Sequence, residues 1–256
     1  LDKLKKKTIT DPKKIFNKIE KNKSISKNSY ISILSQLRKA IAKLEQRKKN
    51  TTWGTYSSQN TYSDNEELNK LKIVSEFSKK NNFKYLVDLG CNDGAYSFES
   101  IKSGSKNVIG VDFDLKALNR AFNYSKSKGL NFQAVYMDAS NPSPNQGWNE
   151  KERTNILSRI KFDGMIAMAF EHHLAIAKNV PLSGVVNWLI NFAPKGLIEF
   201  IPKKDQTIQS MLQLKNDIFP NYNEENFVSY LEAKTKIISK KQVSSSGRIV
   251  YEYSHI

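Results

Sequence analysis

The chain has 256 residues, of which 39% are hydrophobic and 11% aromatic, enough to close one substantial core but not two large ones. No stretch approaches the ~20 uninterrupted apolar residues of a membrane-spanning helix, and no apolar signal-peptide core follows the lysine-rich start. The single cysteine, Cys91, cannot form an internal disulfide, so the composition predicts a soluble, cytoplasmic protein.

The net charge of +16 is concentrated at the start of the chain. Residues 1–50 hold 16 Lys/Arg against four Asp/Glu, whereas the remainder holds 25 against 21. A basic extension can bind phosphate backbones or an anionic membrane surface. The simpler interpretation is that these lysines form a solvated surface. Nucleic-acid binding through residues 1–50 is the alternative.

Residues 1–65 are predicted to form a basic helical extension with an aromatic linker. Apolar residues from Tyr30 to Leu44 recur at steps of three and four, which predicts an amphipathic helix over about 29–49 that packs on another surface. The next 15 or so residues break this period and carry the aromatic side chains Trp53, Tyr56 and Tyr62.

A second helix is predicted to follow, with its amino terminus capped by Ser63 or Asp64. The apolar face of this helix is expected to consist of Leu68, Leu71, Val74 and Phe77.

Beyond residue 82, short apolar runs alternate with amphipathic stretches, a pattern typical of a parallel sheet covered by helices on both faces. Two later runs flank a turn at 244–247 and predict a terminal antiparallel hairpin. Residues 66–256 are therefore expected to form one α/β domain. Its predicted strands are 85–89, 108–112, 132–136, 164–169, 197–201, 235–239 and 248–253.

The strongest chemical signal is the run VDLGCNDG over 87–94, in which a buried strand ends in a turn of small residues before a helix. Such a turn lets a ligand approach the backbone, and the helix offers unpaired N–H groups to a carboxylate or phosphate. A dinucleotide-binding turn would need glycines at 90, 92 and 95. The chain has Asn92 and Ala95 there, which argues against NAD.

The pattern Asp88-x-Gly90-x-Asn92-x-Gly94 resembles the first motif of the class I S-adenosylmethionine-dependent methyltransferases, with Asn in place of the common middle glycine. Asn tolerates a left-handed backbone, so the departure is mild. Two further runs, VIGVD over 108–112 and VYMDA over 135–139, are similar to the family's next motifs and follow in the same order.

The resemblance implies a fold and a cofactor. The implied fold is a doubly wound, seven-stranded, mostly parallel sheet whose last strand is antiparallel. In the implied site, Asp112 accepts hydrogen bonds from the ribose hydroxyls, while Asp138 and a neighbouring backbone N–H meet adenine. Taken singly, these residues could also serve only as turns and helix caps. The implied cofactor-binding residues are Asp88, Gly90, Cys91, Asn92, Gly94, Asp112, Phe113, Asp138 and Ala139. Tyr56 of the aromatic linker is a further candidate, as part of a lid over the methionine end of the cofactor, with simple packing of the N-terminal helix on the sheet as the alternative.

The sequence Glu171-His172-His173-Leu174 follows the fourth predicted strand, where open α/β sheets place their active sites. Imidazole can accept a proton near neutral pH, so His172 and His173 are candidate bases, with packing beneath the cofactor as the alternative. Methyl transfer gains most from alignment of the reacting atoms, an effect that can reach ~7 to 11 kcal/mol. Glu199, at the end of the fifth strand, is therefore a candidate positioning residue.

The acceptor is not identified by the sequence, which favours a small molecule or a biosynthetic intermediate. The residues after the fourth strand lack the Asn/Asp-Pro-Pro-aromatic pattern typical of enzymes that methylate nucleobase amines. RNA methylation through the basic arm and a cofactor-binding module without catalysis remain alternatives. No Cys/His spacing indicates a metal site.

A proline-containing insert at 141–148, ending in Trp148, is a candidate substrate-recognition loop. Together with the His-His-Leu run and the sequence over 199–203, it resembles a little-characterised group of bacterial methyltransferases with a long N-terminal region. By that resemblance, the chain is expected to be the C-terminal portion of a longer protein.

Overall fold

The computed structural model describes residues 25–43, 64–213 and 217–256. Helix α1 (Lys27–Ala42) lies in the first of these ranges. It is capped by the Ser26 hydroxyl, which accepts a hydrogen bond from Ser29 N at 3.1 Å. The expected apolar residues lie on α1 and are exposed. The packing predicted for this helix stays a prediction. The aromatic residues Trp53, Tyr56 and Tyr62 lie outside the described residues, as do Ser63 and Leu44.

Seven strands form one sheet in the order β3-β2-β1-β4-β5-β7-β6. Strands β1 to β5 run parallel to one another, and β7 runs antiparallel to both β5 and β6. The predicted fold is confirmed. The strands are β1 (Tyr85–Leu89), β2 (Asn107–Asp112), β3 (Phe132–Tyr136), β4 (Gly164–Ala167), β5 (Lys195–Phe200), β6 (Thr235–Gln242) and β7 (Ile249–His255).

Helices cover both faces of this sheet, and the crossovers between parallel strands contain them, as the twist of such sheets requires. A π-helical turn, His173–Ala177, follows β4, and a short 3-10 turn, Trp148–Glu150, lies in the insert after β3. The remaining helices are α2 (Asp64–Asn81), α3 (Ala95–Lys102), α4 (Leu115–Lys128), α5 (Ile156–Arg159), α6 (Leu182–Ile190), α7 (Gln206–Gln213) and α8 (Glu224–Glu232).

Two apolar clusters form the core, one on each face of the sheet. Strands β1 and β4 are buried along nearly their whole length because both of their faces are covered. In α2 the buried face differs from the predicted one: Leu68 is 61% exposed, whereas Lys70 is fully buried beside Ile73 and Val74. The helix is rotated so that positions 70, 73, 74 and 77 face the sheet. Within the described ranges, none of the helices has the length and apolarity needed to cross a bilayer.

Candidate active site at the carboxyl edge of the sheet

In the turn after β1, every second residue from 90 to 94 has a left-handed backbone conformation. Gly90 has φ +74°, Asn92 +48° and Gly94 +92°. The N–H groups of Gly90 and Cys91 both donate to the carbonyl of Val111 on β2, at 2.8 and 3.1 Å. The turn is therefore fastened to the neighbouring strand, and Asn92 takes the left-handed conformation as its sequence position predicted.

Close packing defines the floor of this turn. A Cβ placed on Gly90 would lie 2.5 Å from the ring of Phe170, which follows β4. The Cys91 side chain is buried against Gly110 of β2, and burial raises the pKa of its thiol well above the usual value. Cys91 thus contributes to the turn through its backbone position, while its sulfur lies in the core.

Asp112, at the end of β2, binds this turn directly. Its carboxylate accepts hydrogen bonds from the backbone N–H groups of Asn92 and Asp114, each at 2.8 Å. Burial raises the pKa of Asp112, against the opposing effect of these hydrogen bonds. The ends of β1 and β2 are therefore joined through one acidic side chain.

Asp88 lies on the opposite side of the turn, beneath the start of α3. It is 1% exposed and accepts a hydrogen bond from the Ser97 hydroxyl at 2.6 Å. Burial raises its pKa to about 7. Helix α3 begins at Gly94 without a side-chain cap, so this buried acid supports the first turn of the helix from within.

The end of β3 adds a further acid and two exposed aromatic side chains. Met137 N donates to the Asp112 carbonyl at 3.0 Å, which brings Asp138 next to the end of β2. Asp138 accepts hydrogen bonds from the backbone N–H and hydroxyl of Ser140, and the hydroxyl contact lowers its pKa. Phe113 and Tyr136 are 54% and 59% exposed at the ends of β2 and β3, and Ala139 is partly buried.

Beyond β4 the two candidate bases lie in contact with each other. The ring centroids of His172 and His173 are 4.1 Å apart. Burial lowers the pKa of His172 well below its usual value and lowers that of His173 to about 4. Both imidazoles are therefore neutral at pH 7 and are weak proton acceptors, although either can still accept a hydrogen bond.

Glu171 precedes these histidines and is fully buried. One carboxyl oxygen accepts a hydrogen bond from the Tyr222 hydroxyl at 2.6 Å and another from Ile201 N at 3.3 Å. The other oxygen has no hydrogen-bond partner among the described residues. Burial raises the pKa of Glu171 to about 8, so this side chain carries a proton at neutral pH.

Glu199 also lies at this edge, but its side chain is fully buried and bound within the protein. It forms an ion pair with Lys70 of α2 at 2.6 Å and accepts a hydrogen bond from Ala169 N at 2.8 Å. Lys70 is not among the site residues predicted from the sequence. The one available signal was its position three and four residues before Ile73 and Val74, which places all three on one helix face.

The insert after β3 forms a short hairpin in which Gln146 and Arg153 pair through their backbones. Asn149 and Glu150 both have positive φ, and the Trp148 ring next to them is 81% exposed. The substrate-recognition role predicted for this insert stays a prediction.

The chain is similar to a curated protein in sequence and to solved methyltransferases in structure. The nodulation protein NoeA of Rhizobium meliloti (strain 1021) is 42% identical over 230 residues, which cover 90% of this chain and 48% of NoeA. The chain thus spans about half the length of this curated relative. No family model matches the chain.

Solved structures show the same architecture. An S-adenosylmethionine-dependent methyltransferase from Clostridium acetobutylicum ATCC 824 superposes with a TM-score of 0.54 at 16% identity, covering 78% of this chain and 96% of that one. Magnesium protoporphyrin IX methyltransferase from Synechocystis PCC 6803, solved with bound S-adenosylhomocysteine, gives 0.53 at 15% identity over 75% and 84%. The chain therefore has the fold of the class I S-adenosylmethionine-dependent methyltransferases.

Proposed function

We propose that this protein transfers a methyl group from S-adenosylmethionine to a small-molecule acceptor by in-line displacement. The observation that carries the proposal is the junction between the turn after β1 and Asp112. The Asn92 N–H donates to the Asp112 carboxylate at 2.8 Å, so the small-residue turn and an acid suited to ribose are in direct contact and together form the proposed cofactor crevice.

The residues present fit this cofactor. The side-chain oxygen of Asn92 is buried and accepts no hydrogen bond from the described residues, so it can accept one from a bound ligand. The uncapped start of α3 offers N–H groups to a carboxylate. Phe113 and Tyr136 present exposed rings next to Asp112 and Asp138, where an adenine would lie. The methyltransferase solved with bound S-adenosylhomocysteine supports the same cofactor.

When bound, S-adenosylmethionine supplies a methyl group already activated by the adjacent sulfonium. The protein's contribution is then alignment, which can lower a barrier by ~7 to 11 kcal/mol without a strong base. Weak bases such as the buried pair His172 and His173 suit this chemistry, because they can orient an acceptor by a hydrogen bond.

A small-molecule acceptor is favoured by the surroundings of the site. A cavity of about 240 Å³ lies where α6 and α8 begin, also at the carboxyl edge. Tyr222 lines it and donates to Glu171, the residue before the histidines. No charged side chain contributes to its described lining, which fits a neutral ligand; the apolar part of that lining is Ala175, Val180, Pro181, Leu182, Ile218, Phe219 and Pro220.

Calorimetric titration with S-adenosylmethionine and S-adenosylhomocysteine tests the proposal. We expect Asp112→Ala to weaken binding of both at least tenfold, because it removes the ribose acceptor and releases the turn. Asp163→Ala is the matched control, since Asp163 also accepts two backbone N–H groups, from Lys84 and Tyr85, but at the opposite edge of the sheet. Equal affinities of wild type and both variants would refute the assignment.

A further inference from the structure

The residue that directs the chain out of β4 has an unfavourable backbone conformation. Ala169 has φ +48°, a region in which a residue with a Cβ is strained. It immediately precedes Phe170, whose ring packs against Gly90 of the turn after β1. The conformation of this one residue therefore sets both the floor of the cofactor crevice and the start of the segment that carries the two histidines.

A buried side chain from β5 holds this conformation. The Ala169 N–H donates to one carboxylate oxygen of Glu199 at 2.8 Å. The other oxygen pairs with the Lys70 ammonium at 2.6 Å, and the Arg248 guanidinium lies 3.9 Å away. Lys70 and Glu199 are both fully buried, so neither charge is stabilised by solvent.

Such a pair is poorly explained as a contribution to stability. Replacing a buried ion pair by apolar side chains of similar volume is often neutral or stabilising, because the desolvation of two charges offsets their attraction. An apolar pair could not, however, accept a hydrogen bond from Ala169. The distinctive property of this arrangement is thus an acceptor fixed in place by Lys70 and directed at a strained peptide.

We propose that Lys70 and Glu199 are positioning residues that hold Ala169 in its left-handed conformation and thereby shape the cofactor crevice. Helix α2, which precedes the sheet in sequence, would in this way contribute to the site without contacting a ligand. The part that concerns cofactor binding rests on the proposed function, whereas the holding of Ala169 does not.

Two double variants separate the charge pair from the acceptor. Lys70→Met/Glu199→Gln removes the pair but keeps an amide oxygen that can accept from Ala169 N. Lys70→Met/Glu199→Met removes both. We expect the first to bind S-adenosylhomocysteine more weakly than wild type, because its acceptor is no longer fixed by Lys70, and the second at least threefold more weakly than the first, because it has no acceptor. Equal affinities of the two variants would overturn the proposal.

Relief of the strain provides a readout that a purely structural pair would not give. Adding Ala169→Gly to the Met/Met variant should recover affinity at least threefold, because glycine adopts positive φ without strain. The matched control is Asn82→Gly, which changes a residue with φ +47° that precedes β1 at the other edge of the sheet. Equal recovery by both glycines, or none by Ala169→Gly, would contradict the holding role.

If wild type itself does not bind S-adenosylhomocysteine, the proposed function fails, and urea unfolding still decides the holding role. Ala169→Gly should then raise the folding equilibrium constant at least fivefold less in the Met/Met variant than in wild type, because Ala169 without its acceptor has already left the strained conformation. Equal gains would overturn the proposal. If the Met/Met variant does not fold, Glu199→Asp replaces it. Aspartate keeps the charge beside Lys70, but its shorter side chain moves the carboxylate away from Ala169 N, and the same outcomes apply.

Discussion

Among the single residues of the site, burial shifts the pKa values of Asp88 and Glu171 upward and those of both histidines downward. Burial raises the pKa of Asp88 to about 7 and that of Glu171 to about 8, and it lowers the pKa of His173 to about 4. Each shift has the sign expected when a charged form is removed from water. Glu171 and the two histidines are therefore mostly uncharged near neutral pH, whereas Asp88 is close to half ionised.

Substitution of Glu171 by Gln should change the dependence of stability on pH. The folded state keeps a proton on Glu171 up to about pH 8, whereas the unfolded chain loses it near 4.5. Unfolding between these values releases a proton, so rising pH destabilises wild type by up to about 1.4 kcal/mol per pH unit relative to Glu171→Gln. Urea unfolding from pH 5 to 8 measures this.

Glu224→Gln is the control for that experiment, because its hydrogen bond from Lys240 lowers the pKa of Glu224 and leaves it ionised in both states above pH 5. Its difference from wild type should stay constant over the same range. A constant difference for Glu171→Gln as well would mean that Glu171 is ionised in the folded protein.

Gly90 is expected to be intolerant of any side chain. Gly90→Ala introduces both a strained φ and a contact of 2.5 Å with Phe170, whereas Gly129→Ala introduces a comparable φ, +62°, with no atom within 4 Å. Backbone strain should cost about 1 to 2 kcal/mol in each variant, and overlap should cost about 1 to 3 kcal/mol more in Gly90→Ala alone. Thermal and urea unfolding compare the two; equal destabilisation would show that Phe170 yields freely.

At the scale of elements, the hairpin of β6 and β7 completes the sheet and is fastened to the loop after β5. The Arg248 side chain binds Asp205 through Nε at 2.7 Å and through Nη2 at 2.8 Å, and both residues are nearly fully buried. Although burial acts to raise the pKa of Asp205, the hydrogen bonds from Arg248 and Ser246 hold it at about 2. This contact orients the start of β7 next to β5.

Arg248→Met should destabilise the protein by about 3 to 5 kcal/mol, because it leaves the Asp205 carboxylate buried without its cation. Lys241→Met is the matched control on the same hairpin, since its ion pair with Glu76 is about half exposed on both sides. The loss should be much smaller for Lys241→Met, because solvent screens that pair. Similar free energies of unfolding for the two variants would show that the Arg248 pair is not the stronger anchor.

At the scale of the whole molecule, positive charge and the candidate site occupy different parts of the sequence. Residues 1–50 carry a surplus of 12 positive charges (16 − 4), and the remaining residues a surplus of four (25 − 21). A protein that bound RNA through residues 1–50 would need their positive charges for phosphate contacts. Cofactor binding in the proposed crevice would not need these charges.

Neutralising the first lysines tests this separation. We expect a full-length variant with glutamine at Lys3, Lys5, Lys6, Lys7, Lys13 and Lys14 to keep its S-adenosylhomocysteine affinity within twofold. If the region contacts phosphates, the slope of log affinity for a polyanion against log salt should become shallower by about 0.9 per lost contact. An unchanged slope would argue against RNA as the acceptor, and loss of cofactor affinity would contradict the division at residue 65.

Local signals along the chain were enough to predict the order of the strands, helices and motifs. Apolar periodicity and the turn of small residues placed β1 at residues 85–89 and the carboxyl edge at Gly90 to Gly94, because these signals depend on neighbours along the chain. Only the tertiary structure decided that Lys70 is buried while Leu68 is exposed, and that Glu199 and Glu171 bind partners within the protein. Such pairs join residues far apart in sequence, so their geometry and the resulting pKa shifts arise only when the sheet is assembled.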